Sequence, residues 1–247
     1  MTKKWVWLIG GFFVGVPLLI AVMLWLNARE QEKLADYLDL PLTGPVTGEV
    51  RVEAKPAADQ PVIESRDRQM KCLAYHLRVL VVTEREDSDG DAHEYRSVVF
   101  EETQGVDPLV LDCHEKKLFL SLNDWTEHHR AYLRSAEQDP PYLDTEQLPE
   151  PDGEFLRYEI EEYPIAPDET LFLAAEAKPG EAGFELRPSV SAGQLVLYPG
   201  GQAACVSSYR SRAGFNRVGA FVLLCFSLLA FVVVVVLAQK APQQAED

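Results

Sequence analysis

The densest group of metal-capable side chains is Glu84-Arg-Glu-Asp-Ser-Asp-Gly-Asp91, which sets Asp87, Asp89 and Asp91 around Gly90. Calcium takes oxygen ligands at such spacing. The EF-hand order with its closing Glu is missing, however, and an Asp-Gly turn joining two strands uses the same residues. A solvated hairpin tip is the expectation. The histidines are His76, His93, His114, His128 and His129, and only the last two are neighbours. Adjacent side chains on a regular helix cannot both face one metal. Asp124 and Glu127 lie near that pair, but nothing in the spacing fixes them as ligands. Half-exposed surface histidines are expected instead.

The cysteines offer little redox chemistry, since no Cys-x-x-Cys occurs. Cys205 and Cys225 sit before and inside an apolar run. Cys72 and Cys113 either form a disulfide in an oxidising compartment or serve as two small buried hydrophobes. The chain has no Gly-x-Ser-x-Gly, no P-loop and no Gly-x-Gly-x-x-Gly. No catalytic, cofactor-binding or metal residue is therefore assigned, and no cofactor is expected.

The elements that would position any site begin with two apolar runs. Trp5 to Leu26 and Val218 to Ala238 contain no Asp, Glu, Lys or Arg. At about 1.5 Å per residue, each reaches roughly 32 Å as a helix, the thickness of a bilayer's hydrocarbon core. The first is longer than a signal-peptide core and lacks a small-x-small cleavage site after it. Helix formers continue it from Asn27 to about Asp39, where Pro41 and Gly44 stop it. Two uncleaved transmembrane helices are expected. Gly11 and Gly15, four apart, offer a face for pairing with a second copy or with the other span.

Between residues 27 and 217 lie 20 basic and 37 acidic residues, against a whole-chain balance of −16. That charge argues against nucleic acid as a partner, because phosphate binding needs clustered Lys and Arg. The stretch reads as β. Val46 to Glu53 and Glu94 to Phe100 alternate, and Cys72 to Thr83 is a long apolar run. Leu109 to Leu111, Leu118 to Leu122, Phe155 to Ile160, Thr170 to Leu173 and Gln194 to Leu197 are shorter. Asp89-Gly90, Gln104-Gly105, Pro151-Asp152-Gly153, Pro167-Asp168 and Lys178-Pro179-Gly180 punctuate them. The fold expected is an all-β domain, a small barrel or sandwich, inserted between two transmembrane helices. Asp124 to Leu148 breaks the pattern with a helical turn and then a Pro-rich acidic insertion. The expected organisation is a membrane helix with a basic head over 1–26 and a juxtamembrane helix over 27–43. The β-domain covers 44–200, with its insertion near 124–153. A juxtamembrane segment over 201–217, a second membrane helix over 218–238 and a tail over 239–247 follow.

Leu156-Arg-Tyr-Glu-Ile-Glu-Glu-Tyr-Pro-Ile-Ala-Pro-Asp-Glu-Thr-Leu-Phe-Leu-Ala-Ala-Glu-Ala177 resembles the GIDE domain of MULAN-type membrane proteins. Arg157, Tyr158, Glu159, Pro167, Leu171, Phe172 and Ala177 match that family's pattern, R-Y-x-E-x-x-I-x-P-G-D-x-L-Y-V-L-G-x-A. Cys72-Leu-Ala-Tyr-His is similar to the family's Cys-led strand. Asp168 and Ala174 replace its two glycines, and Glu102-Thr-Gln-Gly is a loose version of its D-x-T-G turn. The resemblance covers roughly 44–200 and implies a β-domain between two spans that serves as a binding or assembly platform. Ligases of this family carry a zinc-binding RING after the second span; here nine residues without Cys or His follow it, so no RING is expected.

The functional expectation is a non-enzymatic membrane scaffold whose β-domain binds or stabilises another membrane protein, or a second copy. The alternative is an enzyme or small-ligand receptor with a site built from dispersed residues, capped by the insertion through Trp125 and Tyr142. Lys3, Lys4 and Lys240 flank the spans on the terminal side. Arg29, Lys33, Arg210, Arg212 and Arg217 flank them on the domain side. The positive-inside rule weakens across long loops, and the basic head then dominates. The expected location is a bacterial inner membrane, with both termini cytoplasmic and the domain periplasmic.

Overall fold

The computed structural model describes residues 3–44, 46–86, 92–124, 132–136, 138, 140–143 and 153–240. The chain divides into two compact units, Met1–Asp39 with Val206–Asp247, and Leu40–Cys205.

The first unit is a helical hairpin. Helix α1 runs Lys3–Leu38, and α2 runs Gly201–Lys240. Both are long and apolar enough to cross a membrane. Their buried positions repeat every seven residues: Ala21, Ala28 and Ala35 on α1, and Ala213, Ala220, Ser227 and Val234 on α2. Such a heptad of small side chains is the seam of a tightly packed antiparallel coiled coil. A Cβ at Gly10 would run into the Val234 side chain, so that glycine permits the approach. The two glycines read as a pairing face, Gly11 and Gly15, point away from α2 with nothing within 4 Å. Pairing of the two spans through them is therefore corrected: the heptad register, not the four-residue spacing, selects Gly10. Polar ties cross the hairpin from Asn216 Nδ2 to Asn27 Oδ1 at 3.0 Å, from Arg210 to Asp39 at 2.8 Å, and from Arg217 to Glu32.

In the second unit, β1 (Gly48–Pro56), β6 (Leu109–Cys113), β7 (Lys116–Leu120), β10 (Leu171–Pro179) and β11 (Phe184–Arg187) close a barrel. The order is β1-β6-β7-β11-β10, and β1 pairs back onto β10. Among the described strands only the β7–β11 pair is parallel; β12 (Val196–Pro199) adds antiparallel to β10. This is a five-stranded Greek-key barrel of the OB type. Alternation sends Val50, Val52, Leu109, Leu111, Leu118, Leu120, Leu171 and Leu173 inward, all essentially inaccessible to solvent. Each contributes about 1.5–3 kcal/mol by leaving water.

Two insertions into the barrel build a second sheet. Between β1 and β6 come β2 (Ile63–Glu64), β3 (Lys71–Cys72), β4 (Ala74–Glu86) and β5 (Ala92–Gly105); between β7 and β10 come β8 (Tyr132–Ala136) and β9 (Glu154–Ile165). They form an antiparallel sheet in the order β5-β4-β9-β8, with β2–β3 as a separate small hairpin. The expected turn at Gln104-Gly105 is instead the end of β5, because Gly105 pairs with Ala74. A Cβ at Gly105 would collide with Ala74, so glycine serves close approach there. The expected irregular insertion after Asp124 contains β8, which pairs with β9 from Tyr132↔Glu162 to Ala136↔Tyr158. Among the described residues before it stands a 3-10 turn, Leu122–Asp124.

Candidate functional site

Alternation along β4 and β9 gives the second sheet two chemically different faces. Tyr75, Leu77, Val79 and Val81 project to one side with Tyr158 and Ile160, forming a core with Cys72 and Leu143. His76, Arg78, Arg157, Glu159, Glu161 and Tyr163 project to the other.

Glu162 belongs by parity to the apolar face and is fully buried. Its carboxylate accepts from Ser65 Oγ at 3.0 Å, Asp67 N at 2.9 Å and Arg68 N at 3.2 Å. These donors lie in the turn joining β2 to β3, so one side chain from β9 holds that hairpin against the sheet. Arg66, in the same turn, donates to Glu102 at 2.6 Å and lies over the rings of Phe100 and Tyr142. Tyr75 OH donates to the other Glu102 oxygen at 2.7 Å; burial, then Glu102, raises its pKa. Tyr142 OH donates to Asp67 at 2.9 Å. Tyr142 thus fastens the hairpin from the side of the insertion. Burial pushes the Cys72 thiol up to about 11, with Glu162 adding to the effect.

The other face is a ladder of charge pairs. His76 is buried; its Nδ1 lies 2.8 Å from Thr103 Oγ1 and its Nε2 3.1 Å from Glu101. Burial lowers its pKa and so favours the neutral ring, while Glu101 acts in the opposite direction. The expectation of half-exposed histidines fails here because β4 is an inner strand, covered on both edges by β5 and β9. Arg78 reaches Glu161 at 3.4 Å, and Tyr163 OH donates to the same carboxylate at 3.1 Å. The Tyr163 hydroxyl is pushed up to about 12 by burial and then Glu161. Further along, Arg157 grips Glu94 in bidentate fashion at 2.9 and 3.0 Å and also meets Glu159 at 2.9 Å. Arg96 holds Glu159 at 2.9 and 3.2 Å. Bonding to Arg96 and Arg157 keeps Glu159 below its ordinary range, and Arg157 does the same for Glu94. These carboxylates are matched to guanidinium partners, which suits a preorganised surface.

A separate open groove of about 710 Å³ runs beside β7 and β11, with Pro108, Phe119, Ala182 and Pro188 among its lining and Glu181, Glu185 and Arg187 at its polar side.

No family model, curated protein or solved structure matches this chain.

Of the residues singled out by spacing, Asp87, Asp89, Asp91, Trp125, Glu127, His128 and His129 lie outside the described residues. Asp124 closes the 3-10 turn, and His93 and His114 are exposed. Cys72 and Cys113 are free and belong to two different cores, so they are not disulfide partners. Among the described residues, no group of three His, Cys, Asp or Glu side chains could hold a metal. Arg157, Tyr158 and Glu159 lie on β9, Pro167 in the corner after it, and Leu171, Phe172 and Ala177 on β10. Outside glycine, only Gln69 and His114 take positive φ among the described residues, so Asp168 makes its turn without left-handed strain. Sequence reasoning missed Glu162. The signal was present: a Glu at the parity of Tyr158 and Ile160.

Proposed function

We propose that this protein is a membrane-anchored scaffold or accessory subunit, held in the bilayer by both helices, whose β-unit docks another membrane protein or a second copy. One observation carries the reading. The barrel interior is filled by aliphatic side chains, which leaves it no chamber for a substrate, while the second sheet presents a broad face of fixed charge pairs. Such a face gives orientation and partner discrimination, because an incoming surface must match several preset charges at once. Tethering at both ends confines the unit near one membrane and raises its effective concentration toward a neighbour. The resemblance of the β9–β10 corner to the GIDE domain points the same way, toward a platform placed between two spans.

Affinity purification of the full chain in mild detergent is the test, with Arg157→Glu as control. A stoichiometric companion or a homo-oligomer, lost in the variant, is expected. A lone monodisperse monomer would count decisively against docking. For orientation we propose cytoplasmic termini and a periplasmic β-unit in a bacterial inner membrane, supported by the basic head before α1. Impermeant maleimide should label Ser88→Cys but not Gln243→Cys in cells whose outer membrane is permeabilised; the reverse pattern overturns it.

A further inference from the structure

Strand β5 is fourteen residues long, lies at the edge of its sheet, and pairs only with β4 among the described residues. A long unpaired edge is a template for another strand. Natural edges are commonly guarded by charges and bulges, and β5 has both. Their placement matters, however. The pairing with β4 shifts between Val79↔Phe100 and Leu80↔Val98, so Val99 is an extra residue bulged out of register. Side chains before and after Val99 therefore exchange parity. Arg96 and Val98 share the charged face with Glu101 and Thr103, while Tyr95 and Ser97 share the opposite face with Phe100 and Glu102.

If the strand is laid antiparallel on a copy of itself about a twofold axis between Val98 and Val99, every facing pair outside the central Val98–Val99 step falls on a common side. Arg96 meets Glu101 of the copy, Glu94 meets Thr103, Tyr95 meets Glu102, and Ser97 meets Phe100. The bulge that would spoil register with a foreign strand cancels against the same bulge in the copy. The Arg96 and Glu101 side chains are 48% and 55% exposed, so each has room for a second partner beside its own sheet neighbours. Val98, at the axis, is 44% exposed. The same charges that would repel a strand of other sequence attract this one twice over.

We infer that β5 is the homodimer interface: a second copy of this chain adds across it, antiparallel and centred between Val98 and Val99, joining two four-stranded sheets into one of eight. The interface is isologous, so it closes on itself and does not propagate. This names one occupant for the sheet read above as a docking surface. It fails separately from that reading if a different protein co-purifies while the chain itself stays monomeric.

The test uses the full-length protein in detergent, with mass by light scattering over a concentration series. Wild type should dimerise. Arg96→Glu and Glu101→Arg should each weaken dimerisation by about tenfold or more, since each turns two attractions into two repulsions. The double variant, Arg96→Glu with Glu101→Arg, should restore it. Thermal unfolding of each variant separates loss of pairing from loss of fold. In a Cys225→Ser background, Val98→Cys should form an intermolecular disulfide under mild oxidation, while Val190→Cys should not. A monomeric wild type overturns the inference. So does a dimer that ignores the charge reversals, or one that leaves Val98→Cys unlinked.

Discussion

Removing the Glu162 carboxylate should unfasten the β2–β3 hairpin without collapsing the barrel. In Glu162→Ala the three donors at 2.9–3.2 Å lose their acceptor. A buried donor left unsatisfied costs about 1–3 kcal/mol. Asp67 and Arg68 lie near enough to solvent for water to replace part of their bonds, which puts each near the lower bound. Ser65 is buried and its hydroxyl also accepts from Met70 N at 3.1 Å, so its loss disturbs a second bond. The total is about 3 kcal/mol, or roughly 6–12 °C in melting temperature for a unit of this size. Glu162→Gln keeps one acceptor oxygen and should lose about half as much. Hydrogen exchange by mass spectrometry locates the effect: peptides covering residues 63–72 should lose protection in Glu162→Ala, while those covering β6 and β7 keep it. A variant that melts with wild type and keeps its hairpin protection would refute the assignment of Glu162 as the fastener.

The buried His76 gives a pH signature. Its folded pKa lies below the ordinary 6.5, so the unfolded chain binds the extra proton more readily, and stability should decline as pH falls below about 6.5. His76→Gln should lack that decline in chemical unfolding at pH 7.5 and 5.5, and an equal decline in both proteins would contradict it. In the hairpin, Gly10→Leu should destabilise the helix pair by about 1–3 kcal/mol by overpacking against Val234, whereas Gly11→Leu and Gly15→Leu should not. Thermal loss of helical signal in detergent distinguishes the three. Cys72, buried and raised to about 11, should resist alkylation at pH 8 in the folded protein and react at once in denaturant. Modification of the native thiol at a free-cysteine rate would show that the hairpin does not cover it.

The two-helix frame and the β character of the middle were legible because uncharged runs and alternation are local signals. Barrel closure was not. It depends on β1 meeting β10 across more than a hundred residues, and on β7 meeting β11 in parallel, which no window of sequence contains. Strand β11 is four residues long, and β8 lies in a polar stretch whose pairing is set by the free edge of β9. The seam of the hairpin follows Ala21, Ala28 and Ala35, whose period is seven, whereas the four-residue spacing of Gly11 and Gly15 is a local signal that says nothing of which face meets α2. Glu162 and Arg66 were invisible for another reason. In a chain this acidic, one carboxylate stands out only when its neighbours in space are known.

Photo-crosslinking from the charged sheet in native membranes tests the docking claim most directly. A photoreactive residue at Val98, on the exposed part of that sheet, should yield one discrete adduct of defined mass, either twice the chain or the chain plus one companion. The same group at Val190, exposed on the loop after β11, should yield none. Adducts of equal strength from both positions, or no adduct from Val98 at any expression level, would contradict a docking function for this sheet.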